Sequence, residues 1–206
     1  VSVCRADDVE TEVQTASLTE VGRCTGEEAI SDDTSECLDC LIEAYERDEL
    51  EVRLAALGGI GSALNHSEIQ YSLVATVFEQ SIEAVPAVTS RAVDEIRHAV
   101  HSYGVTWDEV EAFVREVLTS SLASISQTAV EVAGHAVRRQ DVGWGDVETV
   151  LNEASDSAHP DVATEPFSVA AVGLDERQFD WNDVESLFRA GVADDRAEIR
   201  SMAVQA

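Results

Sequence analysis

The sequence predicts an all-α fold, a right-handed α-solenoid of about five two-helix repeats with a period of about 37 residues. Three observations predict it. Trp107, Trp144 and Trp181 stand 37 residues apart, each opening a similar phrase: TWDEVEAF, GWGDVETV and DWNDVESL. A second phrase recurs between them, from EVQTASLTEVG at Glu12 through EVRLAALGGIG at Glu51 to IRSMAV at Ile199. Its leading apolar residues Val13, Val52, Val88, Ile125, Val162 and Ile199 are spaced by 39, 36, 37, 37 and 37. Within this phrase small or apolar residues fall at offsets 0, +4, +5 and +8, which is one face of an α-helix and not of a strand. Such self-similarity marks a stacked array whose units bury their apolar faces only against their neighbours.

Each unit is therefore read as a helix A, carrying the tryptophan phrase, and a helix B. The order is a partial unit at 1–32, repeats at 33–66, 67–103, 104–140 and 141–177, and a partial last repeat at 178–206. In helix A the residues at +3 and +6 from the tryptophan column are apolar: Val110 and Phe113, Val147 and Val150, Val184 and Leu187. Tyr71 with Val74 and Val77 continues the pattern one unit earlier, and Thr34 with Cys37 and Cys40 one earlier still. Start signals agree, since Asp33 with Glu36, Thr106 with Glu109 and Asp180 with Asp183 pair an N-cap residue with an acid three positions on. Gly104 and Gly173 serve as stop signals for two helices B. Pro166 is the discordant residue: at +4 of its helix B it removes an interior hydrogen bond, so that helix is expected to start late, at 163–165, or to kink.

A tandem two-helix unit of this length and pattern resembles the HEAT-repeat family over nearly the whole chain. The family's Val-Arg at the start of helix B survives in Val52-Arg53 and, as Ile199-Arg200, in the last unit. The tetratricopeptide spacing of Trp, Leu-Gly and Tyr does not fit these phrases. The resemblance implies a concave surface lined by helices B. Truncation of an array would leave Ile199, Ala203 and Val204 incompletely covered.

Composition adds a habitat. The chain carries 41 acidic against 13 basic residues, every one of the latter an arginine, for a net charge of -28 on 206 residues. At low salt such a charge repels itself; at molar salt, where the Debye length is ~3 Å, the repulsion is screened. Lysine-free, carboxylate-covered composition resembles the cytoplasmic proteins of salt-accumulating halophilic archaea. The acids are spread along the chain with no D-x-D-x-D-G calcium loop, so the charge reads as a solvent adaptation and is poor evidence for a basic partner. It argues against nonspecific nucleic-acid binding, which needs basic residues on phosphates. No apolar run approaches the ~20 residues that cross a bilayer. No secretory signal opens the chain, although a chain starting at Val1 leaves room for one to have been removed.

Candidate chemistry is sparse. Cys4, Cys24, Cys37 and Cys40 include a Cys-x-x-Cys and form the alternative metal set, but Cys37 and Cys40 occupy core columns of helix A and Cys24 a core column of helix B. His98 and His135 share the +10 position of consecutive helices B and are expected to stack. With Arg91, Asp94, Glu131 and Arg138 they make a polar stripe flanking the core face. The stripe lacks paired histidines at i, i+4 and any H-E-x-x-H, and none of the five histidines precedes a glutamate as in HEAT-like metal hydroxylases. The tryptophans are expected in inter-repeat packing, and Gly58, Gly59 and Gly61 in close helix contact. No phosphate-binding or nucleophile motif is present. The leading reading is a noncatalytic interaction module without cofactor, monomeric or part of a longer array. It holds another protein through Arg91, His98, His135 and Arg138. Two alternatives stay open: a HEAT-like enzyme or enzyme subunit of the lyase or DNA-glycosylase kind, whose bases would be Arg91, Arg97, Arg138 and Arg139, and a metal-binding regulator using Cys and His residues.

Overall fold

The computed structural model describes residues 31–65, 69–120 and 122–206 of the chain. Among these residues the fold is all helical, without a strand. In chain order the helices are α1 (Ser31–Tyr45), α2 (Leu50–Asn65), α3 (Ala75–Ile82), α4 (Pro86–His101), α5 (Trp107–Leu118), α6 (Ala123–Arg139), α7 (Trp144–Ser155), α8 (Pro160–Asp175), α9 (Trp181–Ala193) and α10 (Ala197–Gln205). A 3-10 turn at Tyr71–Leu73 precedes α3. The chain divides into two compact units, with the boundary between Val105 and Thr106. The first holds α1 to α4, the second α5 to α10.

In both units helices alternate as A and B, and the columns read from the sequence form the core. At the first apolar column of helix B, Val52, Val88, Ile125, Val162 and Ile199 are all buried, as are Ile60, Ile96, Ala133 and Ala170 at +8. Burying a Val or Ile side chain stabilises by ~1.5–3 kcal/mol, so these repeated columns carry most of the drive to stack. In each unit every second helix packs on its counterpart, α2 on α4 and α6 on α8 on α10.

Helix starts follow their caps. The Thr106 N–H donates to Glu109 Oε2 (2.9 Å), the Gly143 N–H to Asp146 Oδ2 (2.9 Å) and the Asp180 N–H to Asp183 Oδ2 (2.8 Å). These acids satisfy a donor the helix leaves orphaned and lie at the positive end of its dipole. The third residue after Gln70 is Leu73 instead of an acid, and there the chain makes a 3-10 turn before α3 begins at Ala75. Asp33 lies within α1, whose described residues begin at Ser31.

Helix ends differ from expectation. The left-handed residue is not a glycine but Tyr103 (φ 64°), Asp141 (φ 55°) or Arg177 (φ 61°), one after each of α4, α6 and α8. The next N–H then reaches back five residues, Gly104 to the Ala99 carbonyl and Gln178 to that of Gly173 (2.9 and 2.8 Å). Gly104 is required for another reason, because a Cβ there would strike the Leu64 carbonyl of α2.

Pro166 does not delay the start of its helix. α8 begins at Pro160 and runs through Pro166 without a late start. Pro160 sits at the first helical position, where its missing N–H costs nothing. Pro166 leaves one carbonyl, that of Val162, without its helical donor. Burial of Val162, Ala163, Phe167, Val169 and Ala170 along the same helix outweighs a penalty of ~3 kcal/mol.

Arg53 and Arg200 each hold their own helix B to what precedes it. Arg53 donates to the Tyr45 hydroxyl (3.2 Å) and lies over the Tyr45 ring at 4.8 Å. Arg200 donates to the Asp194 and Asp195 carbonyls (both 2.8 Å).

Candidate interaction groove

α2 and α4 are successive helices B of the first unit, and an open groove of about 650 Å³ lies along their N-terminal halves. Glu51, Leu54 and Ala55 from α2 and Ala87, Ser90, Arg91 and Asp94 from α4 line it. Beside the groove, Gly58 and Gly61 of α2 lie against the Arg91 and Glu95 side chains of α4. A Cβ on Gly58 would come 2.5 Å from Arg91 Nη2, and one on Gly61 would run into the Glu95 carboxylate. Gly58 and Gly61 thus seat Arg91 and Glu95, which pair at 2.6 Å across one helical turn.

The pair is asymmetric. The Arg91 side chain is half exposed at the groove wall, while that of Glu95 is buried. Burial pushes the Glu95 carboxyl up to about 7 against the pull of Arg91, with the neighbouring Asp94 charge adding to the rise. Arg97 answers Asp94 at 2.9 Å. The groove therefore presents a guanidinium fixed by a buried acid, over an aliphatic floor of Leu54, Ala55 and Ala87, with Glu51 and Asp94 at its sides.

The residues of the polar stripe lie on α4 and α6. Arg91 and Asp94 line the groove; His98, two turns along α4 from Arg91, is exposed and does not. His135 is half-buried and Arg138 exposed, both on α6 in the second unit. Glu95, Gly58 and Gly61 are the site residues that sequence reasoning missed or read only as packing. A signal was there: Glu95 stands at +7 of helix B, where Gly59, Val132 and Val169 are buried. An acid in a column that its neighbours bury needs a partner on its own surface.

Cys37 is half-buried and Cys40 buried on α1, while Cys4 and Cys24 lie outside the described residues. Among the described residues no three His, Cys, Asp or Glu side chains are grouped to hold a metal ion. Of the arginines that a nucleic-acid groove would use, Arg91 and Arg97 are committed to Glu95 and Asp94.

Trp107 and Trp144 are buried between repeats as expected, at 2% and 7% exposure. The Trp107 Nε1 donates to the Asp146 carbonyl of α7 (2.8 Å), and Trp144 meets Phe179 edge-on at 5.5 Å. Trp181 departs from this expectation at 54% exposure.

No protein-family model matches the chain, and no curated protein does. Solved structures do. A designed armadillo repeat protein superposes with a TM-score of 0.58 at 10% identity, over 98% of this chain and 94% of that one. Two engineered proteins from the Northeast Structural Genomics Consortium give 0.53 and 0.54 at 11% identity, over 99% of this chain and 93% of theirs. The fold is a helical-repeat fold of the α-solenoid class. Among the described residues no helix is long and apolar enough to cross a membrane.

Proposed function

We propose that this helical-repeat protein is a noncatalytic interaction module that holds another protein on the surface of its helices B. One observation carries the reading: the α2–α4 groove, in which buried Glu95 and the side-chain-free Gly58 and Gly61 fix the guanidinium of Arg91 beside an apolar floor. Preorganising a rotamer-rich arginine removes ~0.5–1.5 kcal/mol of ordering cost from binding, which is how a scaffold converts a groove into affinity. Repeat arrays offer extended surfaces of this kind. Within the same reading we place His98, His135 and Arg138 as further contact residues, the repeat type as HEAT-like, and the habitat as the cytoplasm of a salt-accumulating archaeon, the last on the lysine-free charge of -28.

The test is capture in high salt. Wild-type chain immobilised in a lysate at molar KCl retains a defined partner, identified by mass spectrometry, and Ser90→Trp, which fills the groove from α4, abolishes its retention. Replacing Arg91, His98, His135 and Arg138 together by Ala weakens it by at least about tenfold, the loss of 1.4 kcal/mol or more. Retention unchanged by both variants rejects the helix-B surface as the binding site.

A further inference from the structure

The charges along the α2–α4 groove have an order. Of the three charged residues that line it, Asp94 is answered by Arg97 at 2.9 Å, which leaves Glu51 and Arg91 to face a ligand. Glu51 is exposed in the first turn of α2. Arg91 reaches across from α4 to Gly58 of α2. Glu95 pairs with its Nη2 from the buried side, while 47% of the Arg91 side chain stays exposed. Glu51 and Gly58 are seven residues apart, so about 10 Å of helix separates the carboxylate from the guanidinium. Between them lie Leu54 and Ala55, with Ala87 facing them from α4. Leu50, one turn before Leu54, and Val85 at the start of α4 are both exposed and continue this apolar surface to the N-terminal mouth.

The second unit bridges the same columns. At +2 of α6 and +3 of α8, Gln127 donates to Glu165 (2.9 Å) and ties the two helices B together. On α2 and α4 those columns hold Leu54 and Arg91, which cannot make such a bond, and Arg91 pairs with Glu95 of its own helix. The groove is thus a local departure from the repeat. A ligand matched to its order carries a base, an apolar side chain and an acid along one face, with the two charges about 10 Å apart. In a strand one face recurs every two residues, at roughly 7 and 13 Å, and misses that spacing. In a helix, residues i and i+7 share a face about 10 Å apart, with i+3 and i+4 between them. A helix laid in the groove therefore meets Glu51, the apolar floor and Arg91 together.

We propose that the α2–α4 groove takes one amphipathic helix of another protein, with a base on Glu51, apolar side chains on Leu54, Ala55 and Ala87, and an acid on Arg91. It rests on this groove being the partner site, and adds the partner's chemistry. The probe is a library of capped, alanine-rich helical peptides randomised at i, i+3, i+4 and i+7. It is selected on the immobilised full chain at the lowest KCl concentration that preserves the chain's far-UV circular dichroism. Expected winners carry Lys or Arg at one end, Leu, Ile or Met between, and Asp or Glu at the other, and Ser90→Trp loses them. Glu51→Arg, at an exposed position, keeps the circular dichroism of the parent and weakens these peptides by at least about tenfold. A fresh selection on Glu51→Arg is expected to replace the base by an acid. Winners without this charge order, winners that Glu51→Arg leaves unchanged, or a selection with no binder sensitive to Ser90→Trp each overturn the proposal. If capture from the lysate still depends on Ser90 in those cases, the groove stands as the partner site and only the charge-ordered helix falls. If Ser90→Trp leaves both the peptides and the capture unchanged, both fall.

Discussion

Glu95 is the residue on which the groove turns. Its carboxyl is raised to about 7 by burial, so the folded state holds its proton more tightly than the unfolded chain does. The associated stability is therefore fully present below the ordinary carboxylate value of 4.5 and is lost as pH rises through about 7. Glu95→Gln carries no such slope. Urea unfolding of the two proteins between pH 4.5 and 8 is expected to show their difference moving by up to about 3 kcal/mol in favour of the glutamine variant. A difference that stays flat with pH rejects the burial argument. Gly61 makes the complementary case. Gly61→Ala gains helix propensity of ~1 kcal/mol yet drives a methyl group into the Glu95 carboxylate, so a net loss of ~1–3 kcal/mol is expected. In a Glu95→Ala background the carboxylate is gone and only the Cβ of residue 95, at 2.8 Å, still crowds the new methyl group, so the loss is expected to be smaller. That coupling across the double-mutant cycle is the readout, and additivity would reject the contact.

At the scale of the element, one phrase has two fates. Trp107 and Trp181 begin helices of nearly the same sequence, but only Trp107 is covered and donates its indole N–H to the carbonyl of Asp146. Trp107→Phe is expected to destabilise the chain by about 1–3 kcal/mol, the cost of losing the indole hydrogen bond and opening a small void beside it. Trp181→Phe, half exposed and without such a bond among its contacts, should shift the midpoint of dilute-solution unfolding by less than about 0.5 kcal/mol. Equal losses would mean that the repeats do not cover their tryptophans as described. Arg196 anchors the last pair differently. Its guanidinium donates to the Ser157 carbonyl (2.5 Å) and the Ser155 carbonyl (3.3 Å) at the end of α7. The same group with its own N–H holds the Asp194 carboxyl down to about 2, so this contact persists above the ordinary aspartate range and is lost only as pH falls through about 2.

For the whole molecule, charge sets the conditions under which the columns suffice. With a net charge of -28 the folded chain is compressed self-repulsion at low ionic strength. Unfolding free energy is expected to rise between about 0.1 and 2 M NaCl as the Debye length falls from ~10 Å towards ~3 Å or less. The rise should occur in KCl and NaCl alike, because screening does not distinguish the cations; a salt-independent stability would reject it. Within each of the two units a helix pair packs on its neighbour, so stabilities of the pairs add through their interfaces, and a loss in one pair frays its unit locally.

How much of this was legible in the sequence follows from periodicity. A repeated helix writes its buried face at 3.6-residue spacing in every copy, so the columns of Val52, Ala56, Leu57 and Ile60 could be read before any coordinate was known. The caps at Thr106 and Asp180 were equally readable, because a capping box is local chemistry within four residues. What the period could not carry lay where one copy differs from the others. Glu95 interrupts an apolar column, and only the packing of α4 on α2 reveals that Gly58 and Gly61 make room for it and for Arg91. Pro166 contradicts its helix locally and is overruled by burial on both sides. Trp181 and Val204 obey the repeat in sequence and break it in space, since burial is supplied by a neighbour and not by the residue itself. The sequence by itself determined the fold class, the helix pairs and the columns that face inward, because these are set by short-range spacing. Tertiary structure alone decided which columns are covered, and where an arginine, a buried acid and two glycines meet beside a groove, because those depend on what the next element places against them.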